Sequence, residues 1–223
     1  MKYYLLLIMC SIGLTANAQR VSILGDSYST FEDFMTPETN ELWYYAKNAP
    51  EKTDVNRVQD TWWWQLIKNN GMRLCVNNSY SGATIGYQGY DGNDYSPRTF
   101  IKRMRNLGDP DIILIFGGTN DSWAGEPVGE YKYEGWQYGD FYTYRPAMAY
   151  MLDWLKNHHP NVDIYVIINN DLRADITEST KTICDHYGIT YIQLKDIDKI
   201  SGHPSVKGMK AIAEQVAAVV CKR

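Results

Sequence analysis

Five short apolar runs rich in β-branched residues divide the chain: residues 21–24, 74–76, 112–116, 164–168 and 190–192. Runs of this length without polar alternation read as strands buried on both faces. Amphipathic stretches lie between and after them, at 61–70, 97–106, 146–157, 176–187 and 206–222. Strands and helices taking turns predict an α/β fold, a five-stranded parallel sheet covered by helices on both sides. The punctuation agrees, because Asn70-Gly71 and Tyr187-Gly188 each stop a helix just before a strand. A length of 223 residues suits one domain, expected over 19–223. Two segments, 31–60 and 121–144, are too long for simple connections and are expected to be functional or to carry structure of their own.

Composition narrows the partners. Hydrophobic residues at 44% and charged residues at 22% describe a globular chain rather than a disordered or fibrous one. A net charge of -4 supplies no basic stripe for a phosphate backbone, so nucleic acid is not an expected partner. Seven Trp and 18 Tyr outnumber five Phe. Most rings therefore carry a polar edge, suited to half-buried packing or to stacking on a polar ligand such as a sugar.

The N-terminus reads as a signal peptide over 1–18: Lys2, an apolar run at 3–9 and Ala16-Asn17-Ala18 as the cleavage site. A retained anchor needs about 20 apolar residues, and a lipoprotein signal at Cys10 fits poorly with Met9 before it. The mature chain is expected to begin at Gln19 and to be periplasmic or secreted. No second hydrophobic span follows, so stable membrane insertion is not expected. Cys75, Cys184 and Cys221 match no zinc or CxxC spacing, which predicts buried free thiols and no metal, with a Cys184 to Cys221 bridge left open.

Ligands of an open parallel sheet bind beyond the carboxyl ends of its strands. There the chain places Gly25-Asp26-Ser27, then Asn77-Asn78-Ser79-Tyr80-Ser81-Gly82, Gly117-Gly118-Thr119-Asn120-Asp121, Asn169-Asn170-Asp171 and, before the last helix, Gly202-His203-Pro204. A serine, a histidine and a cluster of Gly and Asn on one edge are the parts of an acyl-transfer site: nucleophile, base and oxyanion donors.

In order and spacing, Gly25-Asp26-Ser27, Gly82, Gly118-Thr119-Asn120-Asp121 and His203-Pro204 resemble the SGNH/GDSL hydrolase family across essentially the whole mature chain. The resemblance implies a flavodoxin-like three-layer sandwich and ester hydrolysis by serine, with no cofactor. It makes Ser27 the nucleophile, His203 the base, and the Ser27 and Gly82 amides with the Asn120 side chain the oxyanion hole. One position departs from the family. Its last block reads Asp-x-x-His, whereas Ile200 stands three residues before His203. Three candidates could orient His203: Asp198, Asp196 or a main-chain carbonyl. A Ser-His dyad oriented by a carbonyl is the favoured reading, with Asp198 held as a third member.

Each residue also has a structural role open to it. Ser27 could cap the helix after the first strand, and His203 could cap or anchor the last helix beside Pro204. Asp26, Asp121 and Asn170 read as structural hydrogen-bonders, and Arg145 as half of an ion pair. Aromatic residues crowd 123–144, and with few aliphatics there they favour a sugar over an acyl chain. Trp123, Trp136 and Tyr138 are the expected substrate contacts, with Trp43, Tyr44 and Tyr45 as an opposite wall; most of the other rings should pack the loop. The expectation is an exported serine esterase removing a small acyl group, acetyl, from a glycan or other small ester. A lipase or lysophospholipase-like hydrolase and a silent glycan-binding protein are the alternatives.

Overall fold

The five apolar runs become five strands of one parallel sheet in the computed structural model, which describes residues 18–222. The signal-peptide cleavage motif, apart from Ala18, and Cys10 fall outside the described residues. The strands are β1 (Arg20–Gly25), β2 (Arg73–Asn77), β3 (Ile112–Phe116), β4 (Asp163–Ile168) and β5 (Thr190–Gln193), ordered β2-β1-β3-β4-β5. This flavodoxin-like order reverses between β1 and β3, and a crevice opens where the connections diverge to opposite faces. Ser27 follows β1 and Asn120 follows β3, so both stand at that crevice.

Side chains alternate across the sheet as strand geometry requires. Along β3, Ile112, Leu114 and Phe116 enter one core while Ile113 and Ile115 enter the other. The first core is closed by α1 (Trp62–Asn69) and α6 (Val206–Val220). The second is closed by α2 (Phe100–Arg103), α4 (Tyr144–His158) and α5 (Ala174–Tyr187), giving three layers. Thr61 caps α1 by accepting from the Trp64 amide at 3.4 Å, a type of contact worth about 1 kcal/mol. Trp62 and Trp63 of that helix are buried, and Trp64 stays half-buried with Lys68 over its ring.

Two local features differ from the sequence expectation, the length of the helix at 97–106 and a hairpin before the last helix, while the long segment 121–144 carries structure of its own as expected. The helix expected over 97–106 is one turn long, because a 3-10 turn at Ser96–Arg98 precedes it and Thr99 restarts the chain as its cap. The segment 121–144 contains the end of a short helix, α3 (Thr119–Trp123), and a 3-10 turn at Tyr138–Tyr142 closed by a Gln137/Asp140 capping box. Finally, β6 (Lys199–Ile200) and β7 (His203–Pro204) form a small antiparallel hairpin. The three cysteines are free, but only Cys184 is buried; Cys75 is half-buried and Cys221 exposed. Among the described residues no helix is long and apolar enough to cross a membrane.

Candidate active site

Ser27 opens a 3-10 turn directly after β1. Asp26 caps that turn through Oδ1, which accepts from the Tyr28 amide at 3.0 Å. Gly25 is required by packing: a Cβ there would lie 2.5 Å from Ser79 Oγ and 2.7 Å from Ser29 Oγ. The ends of β1 and β2 are joined from beneath by Arg103, whose guanidinium donates to Gly25 O at 3.1 Å and to Asn78 O. Burial lowers Arg103 to about 9 and raises the neighbouring Asp26 to about 7.

His203 enters from the hairpin. Ser201 and Gly202, with φ of 48° and 75°, form its two-residue turn, and left-handed residues at both positions match the twist of an antiparallel pair. The turn aims Ser201 O at His203 Nδ1, 3.0 Å away, while His203 Nε2 lies 2.9 Å from Ser27 Oγ. A carbonyl only accepts, so Nδ1 carries the proton and Nε2 is left to accept from the serine hydroxyl. Tyr28 OH donates to Gly202 O at 2.6 Å and Tyr44 OH to Pro204 O at 2.9 Å, fixing the hairpin on both sides of the histidine. Lys199 ties β6 to the end of β4 through Asp171 at 2.6 Å and Asn169 at 3.1 Å. Burial pushes His203 down to about 4; the Ser201 carbonyl opposes this, and Lys52 and Lys199 add to it.

Asp198 stands elsewhere. Its Oδ2 accepts from Ser205 Oγ, which also accepts from the Gly208 amide as the cap of α6. In this arrangement the partner of Nδ1 is the Ser201 carbonyl.

The three expected oxyanion donors come from three different strand ends. Asn120 lies in α3, entered through Gly118 at φ 89°. Its Nδ2 donates to Ala83 O at 3.0 Å and its Oδ1 accepts from Tyr90 OH at 2.9 Å, which leaves one amide hydrogen free. Gly82, at φ 76°, sits in a turn tied to β1 by Tyr80 N donating to Gly25 O at 3.1 Å. Among the described residues, neither the Ser27 nor the Gly82 amide donates to a protein acceptor. Ser27 is buried and Gly82 half-buried, so these two unpaired amides beside one hydroxyl leave room for an acceptor. Asp121 holds the same loop through the Ile85 amide at 2.7 Å, and buried Glu126 lies against it with its carboxyl raised well above the usual range by burial and by the Asp121 charge.

The expected aromatic contacts divide. Trp123 is 42% exposed with its ring 5.7 Å from that of His203, so it borders the Ser27-His203 pair. Tyr138 is 63% exposed and packs on Tyr87, whose carbonyl accepts from the Tyr95 amide of the loop that also carries Tyr90. Trp136 instead packs its ring on Tyr150 and donates Nε1 to Lys132 O at 2.9 Å, so it builds the loop. Arg145 donates to Ser179 and Gly129 O and lies over the Tyr131 ring instead of pairing with a carboxylate. Of the opposite wall, Tyr44 is buried under Pro204 and Trp43 is stacked flat on His203. Sequence reasoning passed over Tyr90, Arg103 and Ser201. Only Ser201 left a signal, the Ser-Gly pair of a two-residue turn.

The model of the GDSL-like lipase/acylhydrolase family matches residues 19–220. A solved structure from Bacteroides ovatus, described as a GDSL-like lipase, is 56% identical, covers 92% of this chain and 99% of its own, and has a TM-score of 0.90. Another from Bacteroides uniformis, described in the same words, is 50% identical over 92% of this chain and 97% of its own, with a TM-score of 0.89. An acetyl xylan esterase from Butyrivibrio proteoclasticus shares the fold at 17% identity and a TM-score of 0.55, over 90% of this chain and 63% of its own. No curated protein matches the chain.

Proposed function

Since the chain belongs to the GDSL-like lipase/acylhydrolase family, we propose that it is an exported serine esterase that removes a small acyl group, acetyl, from a carbohydrate. The observation that carries the reading is Ser27 Oγ at 2.9 Å from His203 Nε2, with Nδ1 held by Ser201 O. Ser27 Oγ attacks the ester carbonyl as its proton passes to Nε2. The carbonyl oxygen, now negative, meets the Ser27 and Gly82 amides and the free Asn120 hydrogen. His203 then returns the proton to the departing sugar oxygen, leaving an acyl-serine. Water, deprotonated by the same nitrogen, releases the acid and restores the serine.

The rim supports a short acyl group and a polar leaving group. Arg98 Nη1 lies 3.9 Å from where a Cβ on Gly82 would stand and binds Glu41 at 3.3 Å, while Tyr90 covers Asn120. A long acyl chain would require aliphatic walls in their place. Exposed Trp123 and Tyr138 offer faces on which sugar rings stack. Export rests on the leader read at 1–18, and the catalytic unit is read as one domain over 19–223.

The family name and its two Bacteroides relatives keep a lipid ester as the second reading. Acetate release from p-nitrophenyl acetate and from acetylated oligosaccharides, beside p-nitrophenyl decanoate, separates the two. Turnover of the acetyl esters that vanishes in Ser27→Ala supports the proposal, and a preference for decanoate selects a lipase. Glycan binding by both proteins without turnover of any ester selects a silent binder.

A further inference from the structure

The base of this site works without a carboxylate at Nδ1, yet it must hold a full positive charge when it takes the serine proton. His203 is only 5% exposed, so water offers that charge little help. The Ser201 carbonyl orients the ring but brings a dipole in place of a charge. What lies against the face of the imidazole is the indole of Trp43, with centroids 3.6 Å apart and planes within 6°. Two neutral aromatic rings disfavour this face-to-face arrangement, because like parts of their quadrupoles oppose each other. A protonated imidazole over the negative face of an indole is attracted to it. The stack therefore suits the charged histidine better than the neutral one, and an interaction stronger in the transition state than before it is one that raises the rate.

The indole is also held in register with the nucleophile. The Trp43 amide donates to Thr30 Oγ1 at 2.9 Å, and Thr30 Oγ1 donates to Ser27 O at 3.0 Å. Lys52 Nζ secures Trp43 O at 2.8 Å and stands 4.6 Å from the centroid of the same indole, so the ring already holds one cation whose charge opposes a second on His203. Trp43 Nε1 is buried with no partner among the described residues, so hydrogen bonding by the indole does not explain its place. We propose that Trp43 is a positioning residue whose indole face stabilises protonated His203, in the role a carboxylate fills in a Ser-His-Asp triad. The proposal rests on the esterase reading of Ser27 and His203.

The test places 5-fluoro- and 5,6,7-trifluorotryptophan at position 43 alone in the mature chain, beside Trp43→Phe and Trp43→Leu. Fluorine drains the ring face with little change in its shape. The readouts are kcat and KM on p-nitrophenyl acetate and the rate at which a fluorophosphonate forms its Oγ–P bond with Ser27, releasing fluoride as His203 takes the proton. The proposal expects kcat and the labelling rate to fall with each fluorine, by about 2- to 30-fold in all, the factor corresponding to ~0.5–2 kcal/mol of cation–π attraction. KM should stay within about twofold, as for an interaction made only in the transition state. Trp43→Phe should keep more of the rate than Trp43→Leu. A reactive wild type whose rates are unmoved by fluorine overturns this proposal alone, even if Trp43→Leu is slow, since packing would then account for the loss. A wild type that labels no faster than Ser27→Ala overturns the esterase reading and this one with it.

Discussion

On the Ser27 side of the site, hydrogen bonds and glycines assign nearly every position: Asp26 caps the serine turn, Arg103 clamps two strand ends, and Tyr90 with Ala83 O fixes the Asn120 amide. On the His203 side, a six-residue hairpin holds the imidazole between rings, with Trp43 flat on it and Tyr28 and Trp123 edge-on. The difference follows from what each half must do. An oxyanion hole stabilises charge that appears at one point, so its donors need fixed directions and an empty place for the acceptor. In the proposed mechanism the histidine gains and loses a proton in each cycle, and its surroundings must orient it in both states. A carbonyl and π faces do this while leaving the ring easy to deprotonate. A carboxylate would bind the protonated form more strongly and raise its pKa.

Removing a member of the first half should give the largest effect. Asn120→Ala is expected to lower kcat about 100- to 1000-fold with little change in KM, measured on p-nitrophenyl acetate. A loss below tenfold would leave the two amides to hold the oxyanion by themselves. The second half is probed by the pH dependence of kcat/KM. His203 acts as a base only when neutral, and burial lowers its pKa to about 4. Activity should therefore be level from neutral pH to about pH 5 and fall tenfold per unit only below its pKa. An acid limb near the ordinary histidine value would show that the ring is more solvated, or closer to a carboxylate, than its 5% exposure and carbonyl partner imply.

Two substitutions sharpen the contrast further. Tyr90→Phe removes only the hydroxyl that holds Asn120 Oδ1. Its kcat should fall about 2- to 13-fold at constant KM, the range set by one net hydrogen bond of ~0.5–1.5 kcal/mol. A larger fall would mean that the freed amide turns away from the oxyanion altogether. Asp198→Ala should leave kcat within about threefold, whereas thermal unfolding should come about 2–4 °C earlier because the Ser205 cap of α6 loses its partner. A loss of activity approaching that of His203→Ala would instead return Asp198 to the catalytic group.

Much of this fold is legible in the sequence. The strands at 112–116 and 164–168 were legible because parallel strands buried on both faces show uninterrupted apolar runs, and the structure places them at Ile112–Phe116 and Asp163–Ile168. The helix expected over 97–106 is shorter than its pattern predicts, since the amphipathic pattern there reflects Phe100, Ile101 and Met104 packing on the sheet in and just beyond a single turn. Trp136 and Tyr138 stand two residues apart in one aromatic segment, yet one ring is packed and the other exposed; composition carries no information about that choice.

By itself the sequence determined the sheet, its helical layers, the strand ends that Ser27, Gly82 and Asn120 follow and the place of His203 before the last helix, because these depend on local periodicity and on turn residues. Only the tertiary structure decided which group meets His203 Nδ1, what covers the face of its ring and what holds Asn120. Those contacts join residues such as Tyr90 with Asn120 and Trp43 with His203, 30 and 160 positions apart. At such separations no pattern of neighbours records an approach of a few ångströms; the crossing of distant chain segments over the sheet sets it.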